Sequence, residues 1–220
     1  MILLFLGPPG SGKGTQAKKI SSERGWPQLS TGDMFRLAIA RGTDLGVKAR
    51  SFMDRGALVP DDVVIDVIAD RINQNDCGDG FVLDGFPRTI PQAEALDGML
   101  LNSGRALAAV VAFEIADQEL LSRLTGRRTC SDCGAMYHVL NMVPKVVGIC
   151  DQCGGKNLLQ RPDDEEQVIK SRLKVYHDQT SPLVEFYERR GVLKRIDASL
   201  GAQVVADGLG VILAEVKTRK

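Results

Sequence analysis

A glycine-rich segment with one lysine, Gly7–Thr15, is the part of the sequence that most clearly points to chemistry. It reads Gly-Pro-Pro-Gly-Ser-Gly-Lys-Gly-Thr and follows the apolar run 1–6. Glycines let backbone N–H groups surround a phosphate, the following helix adds a partial positive charge, and Lys13 supplies a cation. Gly14 takes the position where Ser or Thr is usual, so the hydroxyl arrives one residue late, as Thr15. The segment predicts a site for the phosphates of a nucleoside triphosphate.

Four of the five cysteines form two Cys-x₂-Cys pairs that are sixteen residues apart: Cys130, Cys133, Cys150 and Cys153. This spacing is typical of a structural zinc site, in which four thiolates surround one ion. Two disulfides or four independent thiols would not explain the doubled spacing. Because all four positions around the metal are taken by cysteine, we expect the metal to be structural. Cys77 lies outside the pattern, and we expect it to be inert.

Seven arginines stand at the junctions between these motifs, and we expect them to converge on a polyphosphate. Phosphoryl transfer spreads negative charge over the phosphate oxygens, which guanidinium groups neutralise. Asp84 ends an apolar strand and would hold Mg²⁺ through water, opposite Thr15. His138 and His177 are isolated, and this reaction needs neither of them because it relies on positioning and electrostatics. The seven are Arg36, Arg88, Arg123, Arg127, Arg128, Arg161 and Arg172.

Strand and helix patterns alternate along the chain, which predicts a parallel sheet with helices on both faces. The predicted strands are 1–6, 26–29, 81–84, 108–115 and 193–196; the predicted helices are 15–22, a helix opened by 30–33, 44–53, and one with Asp61 as its N-cap. The segment 126–163 interrupts this alternation. It is too short to hold a core without a metal, and we expect it to be a rigid lid.

Composition limits the class of protein. The 220 residues include 28 Lys plus Arg and 28 Asp plus Glu, so the net charge is zero, and 44% are hydrophobic. Such a chain is globular and lacks the basic field of sequence-blind nucleic-acid binding. The apolar start is too short for a secretory signal or a membrane span, and an odd number of cysteines fits a reducing compartment. We therefore expect a cytoplasmic protein without nucleic-acid or membrane partners.

Several motifs together resemble the adenylate kinases and related nucleoside monophosphate kinases. They are the loop Gly7–Thr15, the segment Leu29–Asp33, the run Asp84–Arg88 with Gln92, the pair Arg123 and Arg127, and Arg161-Pro162-Asp163-Asp164. The cysteine segment resembles the long, zinc-containing lid of the family's bacterial type. The resemblance implies an α/β fold of the P-loop three-layer sandwich type. It has a central five-stranded parallel sheet, a small helical NMP-binding insert and a zinc-ribbon-like lid.

The resemblance also implies the domains and the reaction. Residues 1–29, 60–125 and 164–220 would form the core, 30–59 the NMP-binding domain and 126–163 the lid. The reaction would be MgATP + AMP ⇌ 2 ADP by direct in-line transfer, carried out by a monomer. Asp163 and Asp164 would help to lock the closed lid.

The resemblance also implies which residues form the site, because the functional residues of the family can be assigned to matching positions of this sequence. The phosphate-transfer residues would be Lys13, Arg88, Arg127, Arg161 and Arg172. ATP would contact Gly10, Ser11, Gly12, Lys13, Gly14, Thr15, Arg123, Arg127, Met136, Tyr137 and Leu200. AMP would contact Thr31, Arg36, Ala57, Leu58, Val59, Gly85, Phe86, Pro87, Arg88, Gln92, Arg161 and Arg172. Leu200 stands where the family often has Lys or Gln, and we expect its backbone to make the contact with adenine.

Two alternatives stay open at this point. One is a kinase of another nucleoside monophosphate, UMP or CMP. The other is a zinc-ribbon protein that binds nucleic acid under the control of a nucleotide. The segment 129–160 holds only Lys145 and Lys156 as bases and Tyr137 as an aromatic residue, which argues against the second alternative.

Overall fold

The computed structural model of the chain describes residues 1–217. Its centre is a five-stranded parallel sheet with the order β2-β3-β1-β4-β8. The strands are β1 (Ile2–Leu6), β2 (Gln28–Ser30), β3 (Phe81–Asp84), β4 (Leu107–Glu114) and β8 (Leu193–Asp197). The predicted parallel sheet is confirmed, with strand ends shifted by one or two residues.

Helices cover both faces of the sheet, because residues of β1 alternate between two cores. Leu4 packs with residues of α4 (Asp61–Ile72), α5 (Ile90–Asn102) and α8 (Pro182–Glu188). Leu3 and Phe5 pack with residues of α1 (Lys13–Arg24) and α9 (Ala202–Lys217) on the other face. Every residue of β1 is buried, as expected for a central strand.

Two helix starts differ from the prediction. The first helix begins at Lys13, two residues early, so the lysine lies in the first turn. The cap of α4 is Pro60 and makes no side-chain hydrogen bond, so the prediction of Asp61 as the N-cap is wrong. Asp61 is the first helical residue. Its carboxylate instead accepts hydrogen bonds from Gln92 on α5 and from Thr89, the residue that precedes α5.

A helical hairpin, α2 (Thr31–Ala40) and α3 (Asp44–Met53), follows β2. The side chains of Ser30 and Thr43 cap the two helices by accepting hydrogen bonds from Asp33 N and Gly46 N. Gly46 allows close packing, because a Cβ there would lie 2.2 Å from the carbonyl oxygen of Ala38. The hairpin is held against the end of the sheet that carries the phosphate loop.

The cysteine segment forms a separate antiparallel sheet with the order β6-β5-β7. Its strands are β5 (Arg127–Cys130), β6 (Met136–His138) and β7 (Leu158–Leu159), and α6 (Asp117–Thr125) leads into it. Its own buried cluster holds four residues, Cys130, Ala135, Tyr137 and Cys150, with Leu158 packed against them. So small a core agrees with the expectation that a metal must support this unit.

The chain returns to the main core through α7 (Glu166–Val175) and a π-helical turn, Tyr176–Thr180, before α8. Over residues 1–217, the helices are all too short or too polar to cross a bilayer. The predicted division into core, NMP-binding domain and lid stays a prediction. The last three residues of its core range, 218–220, lie outside the described residues.

Candidate active site

The phosphate loop wraps around the start of α1. Gly10 and Gly12 have φ angles of 86° and 89°, in the left-handed region that favours glycine. A Cβ on Gly10 would also lie 2.9 Å from Leu124 Cγ. The Lys13 ammonium donates to the carbonyl of Pro8 at 2.8 Å, which keeps the side chain folded back over the loop. The loop therefore presents its backbone N–H groups and one cation to the same space.

The structure explains why glycine replaces Ser or Thr at position 14. A Cβ there would lie 3.2 Å from Asp84 Oδ2, which is tighter than ordinary contact. Gln28 on β2 holds this carboxylate by donating from Nε2 to Asp84 Oδ2 at 3.0 Å. The end of β3 is thus drawn close to the loop, so Asp84 lies beside the phosphate site as predicted.

Positive charge converges between the loop and the helical hairpin. Burial lowers the pKa of Lys13 to about 8, with Asp84 raising it and Arg88, Arg172 and Arg127 lowering it. Burial also lowers the pKa of Arg88 to about 10, and Arg172 beside it acts in the same direction. The pKa of Arg161 is about 10, lowered first by burial and then by Arg36 and Arg127. Such mutual repulsion indicates a site built for a polyanion.

Two adjacent carboxylates hold three of these arginines. Asp164 is fully buried and accepts from Arg127 Nε at 2.7 Å and Nη2 at 2.6 Å, and from Arg172 Nη1 at 3.2 Å. Asp163 Oδ2 lies 3.1 Å from Arg172 Nη1 and 3.8 Å from Arg36 Nη1. Burial alone would raise the pKa of Asp163, but these arginines outweigh it and lower the pKa. The pair therefore orders the guanidinium groups before a ligand binds.

Asp164→Asn is expected to lower the free energy of unfolding by about 3 kcal/mol, because it removes the fully buried charge that pairs with Arg127 and Arg172, of which only Arg172 keeps a second carboxylate, Asp163. The measurement is urea unfolding of both proteins at pH 7. Glu166→Gln is the control, since the Glu166–Lys170 pair is exposed and should contribute little. Equal stability of the Asp164 variant and the unmodified chain would contradict the role given to this carboxylate.

The low pKa of Lys13 predicts a pH dependence of triphosphate binding. The protonated side chain attracts phosphate, and the ammonium is lost as the pH rises through about 8. Affinity should therefore be constant below pH 7.5 and fall about tenfold between pH 8 and 9.5. Calorimetric titration with a nucleoside triphosphate over this range measures it. A flat profile would show that Lys13 does not titrate in this range, and the same profile in Lys13→Met would show that another group titrates.

A pocket lies beside the arginine cluster, between the helical hairpin, α4 and the end of β3. Thr31 donates to the carbonyl of Gly85 at 2.7 Å and Arg88 Nε donates to it at 2.8 Å, which joins the two walls. Phe86 is fully buried in the main core, so its side chain does not face the pocket. The lining residues are Thr31, Gly32, Phe35, Met53, Ala57, Leu58, Val59, Val64, Gly85, Arg88 and Gln92.

The other residues of the predicted triphosphate site have separate surroundings in the structure. Arg123 donates to the carbonyls of Ala198 and Ser199, beside Leu200. Met136 Cε lies 3.8 Å from the Cβ position of Gly14, so the cysteine unit reaches over the loop. The hydroxyl of Tyr137 lies in the cysteine cluster, and its contact with ATP stays a prediction.

Arg128 does not join the convergent group. Its Nη1 donates to the carbonyls of Thr125 and Arg127, so the expectation that it faces the polyphosphate is wrong. The residue follows Arg127 on β5, and successive strand side chains point to opposite faces. His138 accepts backbone N–H bonds from Leu140 and Asn141, so its ring holds the turn that follows β6.

The four cysteine sulfurs form the predicted cluster. All four lie within 4.8 Å of one another, with Cys130 Sγ 3.6 Å from Cys153 Sγ and Cys133 Sγ 3.5 Å from Cys150 Sγ. Four thiolates about 2.3 Å from one tetrahedral ion would stand about 3.8 Å apart, so the donor set fits zinc. A hydrogen bond from Tyr137 lowers the pKa of Cys150 to about 6, which favours the thiolate form.

Sequence reasoning missed two residues that position the site. Gln28 ties Asp84 to the phosphate loop, and Thr180 in the π-helical turn donates to the carbonyl of Arg88 at 2.9 Å. Neither belongs to a recognisable motif. A π-helical turn often marks a functional region, but a single sequence gives no signal for one.

Comparison with known proteins agrees with this geometry. The family model described as adenylate kinase matches residues 5–192. The adenylate kinase of Archaeoglobus fulgidus is 48% identical over 218 residues, which cover 99% of this chain and 100% of the relative. That of Syntrophobacter fumaroxidans is 54% identical over 197 residues, 90% of this chain and 92% of the relative. Since these matches extend over nearly the whole chain, it belongs to the adenylate kinase family.

Proposed function

We propose that this phosphotransferase catalyses MgATP + AMP ⇌ 2 ADP by direct in-line transfer. The observation that carries the proposal is the convergence of Lys13 and five arginines between the phosphate loop and the pocket. The terminal phosphoryl group leaves ATP and bonds to a phosphate oxygen of AMP, so that both products are ADP. The arginines are Arg36, Arg88, Arg127, Arg161 and Arg172.

The donor nucleotide is assigned to the phosphate-loop side. Gly10 to Thr15 would bind its phosphates, and Arg123, Leu200, Met136 and Tyr137 would surround the rest of it. Asp84 would hold the accompanying Mg²⁺ through water, and its place beside Gly14 supports this assignment. The metal ion would neutralise phosphate charge, while Lys13 holds the phosphate oxygens in line with the acceptor.

The acceptor nucleotide is assigned to the pocket on the other side of the arginines. Its lining by Thr31, Ala57–Val59, Gly85 and Gln92 supports this choice. Arg36 and Arg88 would bind the monophosphate, and Arg161 and Arg172 would bridge the two nucleotides at the point of transfer. Phe86 and Pro87 would contribute through the backbone, since the Phe86 side chain is part of the core.

Residues 126–163 would act as a lid that excludes water, which would otherwise accept the phosphoryl group. Met136 above the phosphate loop and the Arg127–Asp164 pair at its base support this role. The four cysteines would hold a structural Zn²⁺. We place the enzyme in the cytoplasm, because four thiolates that bind a metal must stay reduced, and take it to act as a monomer, as its resemblance to the family implies.

A coupled assay of ADP formation with AMP, UMP, CMP and GMP as acceptors tests the proposal. AMP is expected to be the preferred acceptor by at least about 10²-fold in kcat/KM. Preference for UMP or CMP would instead identify a pyrimidine monophosphate kinase. ATP hydrolysis at the same rate with and without AMP would contradict the transfer itself.

A further inference from the structure

The amide of Gln92 has two fixed partners within the protein. Gln92 is 1% exposed and lines the pocket. Its Oε1 accepts from the backbone N–H of Arg88 at 2.7 Å, and its Nε2 donates to Asp61 Oδ1 at 2.6 Å. Half of the hydrogen-bonding capacity of this amide is therefore used before any ligand enters.

Asp61 is one of two groups that fix the orientation of the amide, and the Arg88 N–H is the other. A carboxylate can only accept hydrogen bonds, so the nitrogen of Gln92 must face it. The other carboxylate oxygen accepts from the hydroxyl of Thr89 at 2.8 Å, so the side chain of Asp61 is itself held in place. Asp61 is not among the residues that line the pocket and acts on a ligand only through Gln92.

One N–H and one oxygen lone pair of Gln92 remain for a ligand. Adenine offers the complementary pair, an acceptor at N1 and a donor at the 6-amino group. Hypoxanthine has nearly the same shape but offers the reverse, a donor at N1 and an acceptor at O6. To pair with hypoxanthine the amide must turn over, which would set its oxygen against Asp61 and its NH₂ against the Arg88 N–H. Both contacts would leave buried polar groups unpaired.

We propose that Asp61 is a positioning residue that sets the base specificity of the acceptor pocket, by holding Gln92 in the orientation that matches adenine. The inference rests on the proposed function, since it requires the pocket to take the acceptor nucleotide. Thr31 and the apolar wall would select the size of the base, whereas Asp61 selects its pattern of donors and acceptors.

The test compares AMP with inosine monophosphate, IMP, as acceptors for the unmodified enzyme and for Asp61→Asn. Asparagine has nearly the same shape but can present either an oxygen or an NH₂ to Gln92, so the variant removes one of the two contacts that oppose turnover of the amide and leaves only the Arg88 N–H. The ratio of kcat/KM for AMP to that for IMP is expected to fall about tenfold or more, with a higher kcat/KM for IMP. The change should lie mainly in KM, because Asp61 does not contact the transferred group.

Asp62→Asn is the matched control. It removes the same charge from the same turn of α4, and Asp62 is exposed. Its AMP to IMP ratio should equal that of the unmodified enzyme. Asp61→Ser is a second test variant, because it removes the carboxylate and its hydroxyl can either donate or accept. It should shift the ratio in the same direction.

The outcomes separate this inference from the function on which it rests. If both Asp61 variants lose activity with AMP and IMP in proportion, the residue is merely structural and the proposal is wrong. An unchanged ratio in active variants would overturn it as well. If the unmodified enzyme fails to use AMP, the proposed function itself is refuted and the inference with it.

Discussion

Lys13→Met is expected to lower kcat by about 10³-fold while leaving the fold intact. The ammonium is buried over the phosphate loop and donates to the carbonyl of Pro8 at 2.8 Å. Under the proposed function its charge would face the transferring phosphoryl group, in buried surroundings with little water to screen it. Methionine has similar length and fills the same space without a charge, so the loss should be electrostatic. The measurement is steady-state ADP formation with saturating ATP and AMP.

Lys18→Met is the matched control for this prediction. Lys18 lies on the same helix, one and a half turns further on, and is exposed. Its variant should keep the rate of the unmodified enzyme. Circular dichroism and the melting temperature of both variants check the fold. A Lys13 variant that is folded and loses less than tenfold in kcat would contradict the electrostatic role of the ammonium.

Removal of metal from the four-cysteine site is expected to lower the melting temperature by about 10 °C or more. The small antiparallel sheet has only four buried residues of its own, and two of them are cysteines of the cluster. Without an ion, the four sulfurs, which lie 3.5 to 3.6 Å from their nearest neighbours, would lose the group that joins the two Cys-x₂-Cys pairs. The protein as purified would be compared with protein treated with a chelator, and bound zinc would be counted by mass spectrometry.

Substitution of single cysteines separates the cluster from the fifth thiol. Cys150→Ser should reduce bound zinc well below one per chain and reproduce the lower melting temperature. Cys77→Ser is the control, because Cys77 is buried near Arg71, far along the chain from the cluster, and should leave one zinc bound. A metal-free protein that melts at the temperature of the zinc-bound protein would falsify the structural role.

Much of the fold could be predicted because its signals are local. The apolar run before Gly7 predicts a buried strand, and the alternation of strand and helix patterns predicts the parallel sheet that the structure contains. The helix Asp44–Met53 and the strand Phe81–Asp84 were predicted with their observed ends. Asp61 was assigned wrongly because a carboxylate at a helix start usually serves as a cap, and here it bonds across to α5.

The candidate site also has parts that local sequence predicts and parts that it does not. The phosphate loop and the paired cysteines could be predicted from spacing alone, because the loop and each Cys-x₂-Cys pair lie within one short stretch of the chain. The predicted convergence of the arginines was right for Arg127 and wrong for Arg128, its neighbour. Strand geometry decides which of two adjacent side chains faces the ligand, and this depends on the register of β5 with β6.

The sequence by itself determined that this protein has a phosphate-binding loop, four cysteines spaced for one metal ion and an α/β core. Tertiary structure alone decided that Gly14 lies close against Asp84, that Asp163 and Asp164 pair with the arginines, and that Asp61 bonds to Gln92. Asp61 and Gln92 are 31 positions apart, and Arg127 and Asp164 are 37 apart. Such pairs are set by how helices and strands pack, which local spacing does not encode.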